Sequence, residues 1–394
     1  MTEDPSSSIE DPFSEIRPYS NSEAPKVIRR LARNEELAGT IARWKFPRLA
    51  RVSLALAMGL ARVWLWILAR RLSTVEDLQN VIAPNLSRMI KKSSRFSTSG
   101  MNGLDFRLPR VYVGNHRDIV MDPAYANYAL HRSGVRTLAV AIGDNLLSKP
   151  WISDLMRLNR SFIVKRNLQG PRALLAAAKL LSAYIRASVE SDDNPIWIAH
   201  REGRAKDGRD MTEPAVIKML TLSREREQSP ESILEALKIV PLIISYELDP
   251  CDALKSAELS EGSGYVKSEF EDITSIATGI VGQKGCVHLH FGTPLQGRLG
   301  VAETVAAIDR QMAAHYRLYQ TNIWAWQWLY GTSLPCEIAY DKGTISEVAF
   351  RARFESIPAE HQRWFLTMYA NPVSRRLDAI KERAGTDPTS GIPM

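Results

Sequence analysis

From Arg110 onward, short β-branched and apolar runs alternate with longer stretches of helical period. Val111-Tyr112-Val113 predicts a strand, and the pattern through Tyr125 and Tyr128 to His131 a helix. Thr137 to Ile142 predicts the next strand, followed by a short helix around Trp151 to Leu158. Ser161-Phe162-Ile163-Val164 is again strand-like. Pro171 suits the first turn of an Ala/Leu-rich helix running to about Glu190. Ile196 to Ala199 and Ile239 to Tyr246 are apolar almost throughout, as expected of central strands, and Val287 to Phe291 is a later strand. This alternation predicts an α/β layer fold with a mostly parallel central sheet flanked by helices.

The flanking regions differ from this core. Residues 1–24 are polar and acidic and predict a disordered tail. Residues 25–98 predict helices ending in a basic run at Lys91, Lys92 and Arg95. The α/β core is expected over 99–300 and a C-terminal helical region, packed on it, over 301–394. That last region carries Trp324, Trp326, Trp328 and Tyr330, a cluster open at this point between core and membrane contact.

Val52 to Ala69 is the most apolar segment, approaching the roughly 20 residues of a bilayer span. Arg62 sits in its middle, and Arg43, Lys45, Arg48, Arg51, Arg70 and Arg71 flank it. A charge at the centre of a span costs at least about 2.5 kcal/mol. A helix lying in the lipid interface, with tryptophans at headgroup depth and arginines on anionic lipid, fits better than a span or a buried core helix. The N-terminal helical region is therefore expected to attach to a membrane surface.

The net charge of +7 calls for an anionic partner: nucleic acid, an anionic membrane or a phosphorylated substrate. The cations are dispersed and carry no recognition motif, which argues against nucleic acid. Three scattered cysteines, Cys251, Cys286 and Cys336, make neither a disulfide framework nor a metal-ligand spacing, as in a reducing cytosol. No secretory signal opens the chain. His288 and His290 share one strand face, but with no third ligand they are expected to be surface histidines rather than a metal site.

Four constellations stand at or near predicted strand ends. The first is Asn115-His116-Arg117-Asp118 with Asp122, a proton acceptor beside two carboxylates able to orient it. The second is the cation pair Lys165-Arg166 after Phe162-Ile163-Val164. The third is Glu202-Gly203-Arg204, followed by Lys206. The fourth is Pro241 within the apolar run Val240-Pro241-Leu242. Ligands of open α/β sheets bind outside the carboxyl ends of strands, so the four could share one crevice. His116-Arg117-Asp118 also matches the start of a protein-kinase catalytic loop. That loop needs Asn where this chain has Pro123, and no Asp-Phe-Gly or Gly-rich loop accompanies it.

In this order the four blocks resemble the glycerolipid acyltransferases, the glycerol-3-phosphate and 1-acylglycerol-3-phosphate (lysophosphatidate) acyltransferases. The resemblance covers Arg110 to Pro294, about half the chain, and is nearest to a bacterial branch with Asn-His-Arg-Asp-Ile and Glu-Gly-Arg-Ala-Lys-Asp-Gly, here Asn115 to Ile119 and Glu202 to Gly208. Two departures stand out. Five residues, where the family has four, separate His116 from Asp122, so either Asp122 or Asp118 orients the ring; Asp122-Pro123 matches the end of the family block. In the third block Arg204 and Ala205 stand where the family has Thr and Arg, which shifts the anion-binding duty to Arg204 or Lys206.

The resemblance implies a glycerol-phosphate-acyltransferase-like fold and transfer of a fatty acyl group, within phospholipid biosynthesis, from acyl-CoA or acyl carrier protein to the hydroxyl of a glycerol phosphate or lysophospholipid. His116 would act as base, Asn115, Lys165, Arg166, Glu202, Gly203, Arg204, Lys206 and Pro241 would shape the substrate site, and no cofactor or metal is needed beyond the thioester co-substrate. The expected place of action is the cytoplasmic face of the membrane. The alternatives are a non-catalytic membrane-associated protein that keeps the fold, which the stretched His/Asp spacing favours, and a hydrolase that turns the same histidine on water.

Overall fold

A computed structural model describes residues 11–147, 149–190, 194–266 and 271–386. Among these residues are seven strands: β1 (Ser94–Ser99), β2 (Val111–Gly114), β3 (Ala139–Gly143), β4 (Ser161–Val164), β5 (Ile196–Ala199), β6 (Val240–Tyr246) and β7 (Gly285–Phe291). The chain divides into two compact units, Met1–Pro84 with Ala139–Tyr184, and Asn85–Leu138 with Ile185–Met394. The expected boundaries at 98 and 300 are not those of the compact units: β3 and β4 belong with the N-terminal helices, and the C-terminal helices with the remaining strands.

In the first unit, β3 and β4 pair in parallel, Ala141 opposite Phe162. Helices Ala24–Ala32, Glu35–Lys45 and Leu54–Arg71 pack through Val27, Ile28, Leu31, Leu37 and Leu65. Ala42, Ala57 and Ala61 form a second, close contact in which small residues let two helices approach. Residues 1–10 of the expected tail lie outside the described residues, but 11–23 are ordered. Ile16 is buried, and Arg17 pairs with both Asp11 and Glu23. The segment is tied down by contacts far away in the chain: the Ile16 carbonyl accepts the Ile163 amide at 2.8 Å, and the Tyr19 hydroxyl donates to Asp154 at 2.8 Å.

Helix Leu54–Arg71 buries Ala57, Ala61 and Leu65 and leaves Leu56, Leu60, Val63, Trp66 and Ile67 exposed. Arg62 pairs with Glu35 on the outside, and Arg70 lies over the Trp66 ring, 3.9 Å from its centroid. No described helix is long and apolar enough to cross a membrane.

In the second unit the strand order is β1-β7-β6-β2-β5. Pairing is parallel between β1 and β7, β6 and β2, and β2 and β5, and antiparallel between β6 and β7. The expected mostly parallel sheet flanked by helices is present. Every residue of β2 and β6 is buried, which is why both are continuous apolar runs rather than alternating ones. Pro241 sits opposite Val113 near the start of β6, an inner strand, where its missing N–H removes little from the ladder. β1 corrects the helical expectation for residues up to 98: Ser94–Ser99 has no apolar run of its own and is held by its register with β7, Ser97 opposite His288.

That register also corrects the expectation of surface histidines. His288 is buried, its ring bonded to the Ser97 and Ser99 hydroxyls, both at 2.8 Å, and His290 stacks on His315 with 4.1 Å between ring centroids. Burial holds both His288 and His290 down at about 4. The C-terminal helices Val301–His315, Gln320–Tyr330 and Ala359–Thr386 belong to the same unit. Most of the aromatic cluster packs inward: Trp326 is buried, and Trp328 lies against Phe350, which also meets Phe365 and Tyr369, with centroids 5.6, 5.6 and 5.1 Å away, whereas Tyr330 is exposed.

Candidate active site

Strand β2 ends at Gly114 and the chain turns through His116 into helix Met121–Arg132. The His116 ring is directed at Asp122, Nδ1 to Oδ2 at 2.9 Å. The same Oδ2 accepts the backbone amides of Arg117 at 2.6 Å and Asp118 at 2.8 Å, while Oδ1 accepts the Tyr246 hydroxyl at 2.6 Å. Asp122 is thus a buried carboxylate ringed by four donors at the first turn of a helix, where the backbone dipoles favour its negative charge. A carboxylate so placed only accepts, so His116 carries its proton on Nδ1 and leaves the Nε2 lone pair available. The extra residue in the turn therefore does not separate ring from acid.

Asp118 takes the other of the two positions left open by the sequence. Its Oδ1 accepts the amides of Val120 at 3.0 Å and Met121 at 2.8 Å, closing the start of the helix. Burial, then the neighbouring Asp122 charge, pushes its carboxyl above the usual range. Helix Glu271–Val281 leans directly on it, for a Cβ on Gly279 would lie 2.1 Å from Asp118 Oδ2.

The third block docks onto this turn. Gly203 has φ of +70°, a left-handed conformation that favours glycine, and the Ala205 amide donates to the His116 carbonyl at 2.8 Å. Glu202 is exposed, its backbone amide bonded to Glu213 Oε2 at 3.1 Å. Arg204 is half-buried beside this contact, and Lys206 is paired with Glu258. Asn115 bridges to β6: its amide nitrogen donates to the Ile244 carbonyl at 2.9 Å and its oxygen accepts the Ile244 amide at 2.8 Å. Pro241 lies one strand over from β2, its carbonyl accepting the Gly292 amide at 2.8 Å.

Lys165 and Arg166 belong to the other unit, immediately after β4. Lys165 is ion-paired with Glu15 there, and the Arg166 amide bonds to Asp144 Oδ1 at 3.1 Å.

Several residues around His116 were not singled out by sequence reasoning. Tyr246 looked like one more residue of an apolar strand, but its hydroxyl supports Asp122. Burial, then Asp122, holds that phenol well above its usual range. Trp197 on β5 sets its ring edge-on to His116, centroids 5.6 Å apart. Gly114 makes room for it, since a Cβ there would come within 2.7 Å of the indole nitrogen. Lys255, almost fully buried, donates to the Arg117 carbonyl at 2.6 Å and pairs with Asp249. No cluster of three metal-ligating side chains occurs among the described residues.

Residues 91–225, which contain His116, Asp122 and the third block, match the family model described as Acyltransferase. Over that segment, short of half of the chain's 394 residues, the sequence is similar to the acyltransferase family. A comparison with curated proteins finds no match for this chain. Among solved structures it is similar to the 1-acyl-sn-glycerophosphate (LPA) acyltransferase PlsC of Thermotoga maritima, with 13% identity, 71% of this chain and 92% of that one covered, and a TM-score of 0.36. At that degree of likeness no residue role passes from one to the other. Pro241 and the C-terminal helices lie beyond the matched segment.

Proposed function

We propose that this protein is an acyltransferase that moves a fatty acyl group from a thioester, acyl-CoA or acyl carrier protein, to the hydroxyl of a glycerol phosphate or lysophospholipid, with His116 as general base. The observation that carries the reading is the His116–Asp122 pair, 2.9 Å apart, with Asp122 fixed by three further donors. Nε2 takes the acceptor's hydroxyl proton as its oxygen attacks the thioester carbonyl. The tetrahedral intermediate then collapses and expels the thiolate, which takes the proton back from the His116 imidazolium that Asp122 has stabilised meanwhile. Arg204, next to the residue that bonds the His116 backbone, supplies a cation for the acceptor's phosphate.

The reading includes a place of action, the surface of an anionic membrane on its cytoplasmic side. Leu56, Leu60, Val63 and Ile67 form an exposed apolar stripe on a helix rich in arginine at its end, the composition of an interfacial helix. Long-chain acceptors and products reside in the bilayer, so an enzyme acting on them works where they are.

Purified protein is incubated with labelled long-chain acyl-CoA and a panel of glycerol 3-phosphate, lysophosphatidate and other lysolipids, and acylated products are identified. An acylated acceptor is expected, with kcat reduced about 10²- to 10⁴-fold in a folded His116→Ala variant. Transfer unchanged in that variant rejects the mechanism. Release of free fatty acid with no acylated acceptor makes the protein a hydrolase instead.

A further inference from the structure

Resting on the reading of His116 as the base, we propose that Asp210 is a positioning residue: its carboxylate ties down both residues flanking His116 and so sets the ring against Asp122. One oxygen, Oδ2, accepts the Asn115 side-chain amide at 2.9 Å and the Arg117 guanidinium through Nε at 3.1 Å and Nη2 at 2.7 Å. Oδ1 has no hydrogen bond and faces His200 Nε2 at 4.0 Å, so the anchoring falls on Oδ2.

Arg117 is buried, and its remaining contacts point inward. Nη2 also donates to the Gly208 carbonyl at 2.9 Å, and the guanidinium lies over the Tyr316 ring, 5.2 Å from its centroid. It holds the main chain beside the base, as Asn115 does on the other side through β6.

The anchor is itself braced. The Thr212 amide and hydroxyl donate to Asp309 Oδ1 at 2.9 and 2.6 Å, and Asn371 donates to the Asp207 carbonyl at 2.7 Å. Gly208 has φ of +75° and passes so close to the last long helix that a Cβ would lie 2.0 Å from the Met368 carbonyl oxygen. The C-terminal helices thereby reach the base through residues 207–212. This bracing accounts for how a turn one residue longer than the family block still presents its histidine to its acid. A site assembled to sub-ångström tolerance depends on such support, since misplacement by about 1 Å costs roughly 10²-fold in rate.

The competing role is a buried ion pair that serves only the fold. To separate them, full-length D210N and the double variant R117M/D210N, which leaves no unpaired charge inside, are labelled with ¹⁵N-histidine. The His116 ring nitrogens are assigned by their loss in H116Q. The Nδ1-protonated tautomer is expected in the parent protein, and a shift toward Nε2 protonation, or exchange broadening, in folded variants. With palmitoyl-CoA and lysophosphatidate, kcat is expected to fall about 10²-fold with little change in KM.

Unchanged His116 nitrogen shifts in a folded variant overturn the proposal whatever the rate. Failure of both variants to fold overturns it too, because the pair would then be needed for the fold. The ring measurement uses no substrate, so loss of the proposed acyl transfer under the H116A test leaves this question separately decided.

Discussion

Asp122→Asn removes the negative charge beside His116 while keeping shape, and the surrounding donors dictate how the amide settles. Two backbone amides, Arg117 N and Asp118 N, point at the Oδ2 position at 2.6 and 2.8 Å. An NH₂ group there would face both, so the carbonyl oxygen occupies that place and the NH₂ turns to the Tyr246 oxygen, which can accept. His116 Nδ1 then keeps an acceptor and the tautomer is preserved. What is lost is attraction between Asp122 and the imidazolium. For charges about 4 Å apart at an effective dielectric of about 20, this amounts to about 4 kcal/mol. That corresponds to a fall in kcat of roughly 10³-fold. The assay is acyl-CoA-dependent transfer followed by thiol release and product identification, with thermal unfolding and the His116 ring nitrogen spectrum checked alongside. A folded variant with an unchanged tautomer and kcat within about threefold of the parent would refute the electrostatic role of Asp122.

Gly114→Ala places a Cβ 2.7 Å from Trp197 Nε1 and 3.4 Å from the Leu242 carbonyl, so the indole must move off His116. Urea unfolding is expected to show a loss of about 1–3 kcal/mol, with kcat falling as well. Unchanged stability contradicts the packing. His200 is fully buried, and burial pulls its pKa from 6.5 down to about 4. Its neutral form therefore contributes stability above pH 6.5 that is lost as pH falls toward 4, roughly 3 kcal/mol in all. Denaturation across that window should show a correspondingly shallower loss in His200→Leu, and parallel curves contradict it. Leu60 and Val63 are 49% and 56% exposed, so Leu60→Glu with Val63→Glu should leave thermal unfolding unchanged. The same pair is expected to weaken flotation with anionic vesicles at least about tenfold, and undiminished flotation removes this helix from the docking surface.

Elements whose residues interact with near neighbours were legible in the chain. Pro171–Glu190 starts at its proline and ends where expected, and β5 and β6 announce themselves as apolar runs because both faces are covered. β1 was invisible because Ser94–Ser99 carries no pattern of its own; its partner is a strand about two hundred residues away. β7 was found as a strand, but its antiparallel direction to β6 was not, since strand direction leaves no mark in composition. The same limit hid the polar supports. Tyr246 and Asp210 stand 124 and 95 residues from the partners they meet, Asp122 and Asn115, and spacing along a chain says nothing about such encounters.

Local chemistry by itself determined that a strand would end in a histidine with two acids near it, that a glycine-containing turn would follow a later strand, and that one helix would be too basic to span a bilayer. Only the tertiary structure decided which acid meets the ring. Asp122 and Asp118 lie within six residues of His116, and both are carboxylates in the same turn. Tyr246 brought in on β6 and two converging backbone amides hold one against the imidazole, while the other is consumed in closing the helix start. That outcome rests on hydrogen bonds between distant strands, whose geometry comes into existence only when the sheet has formed.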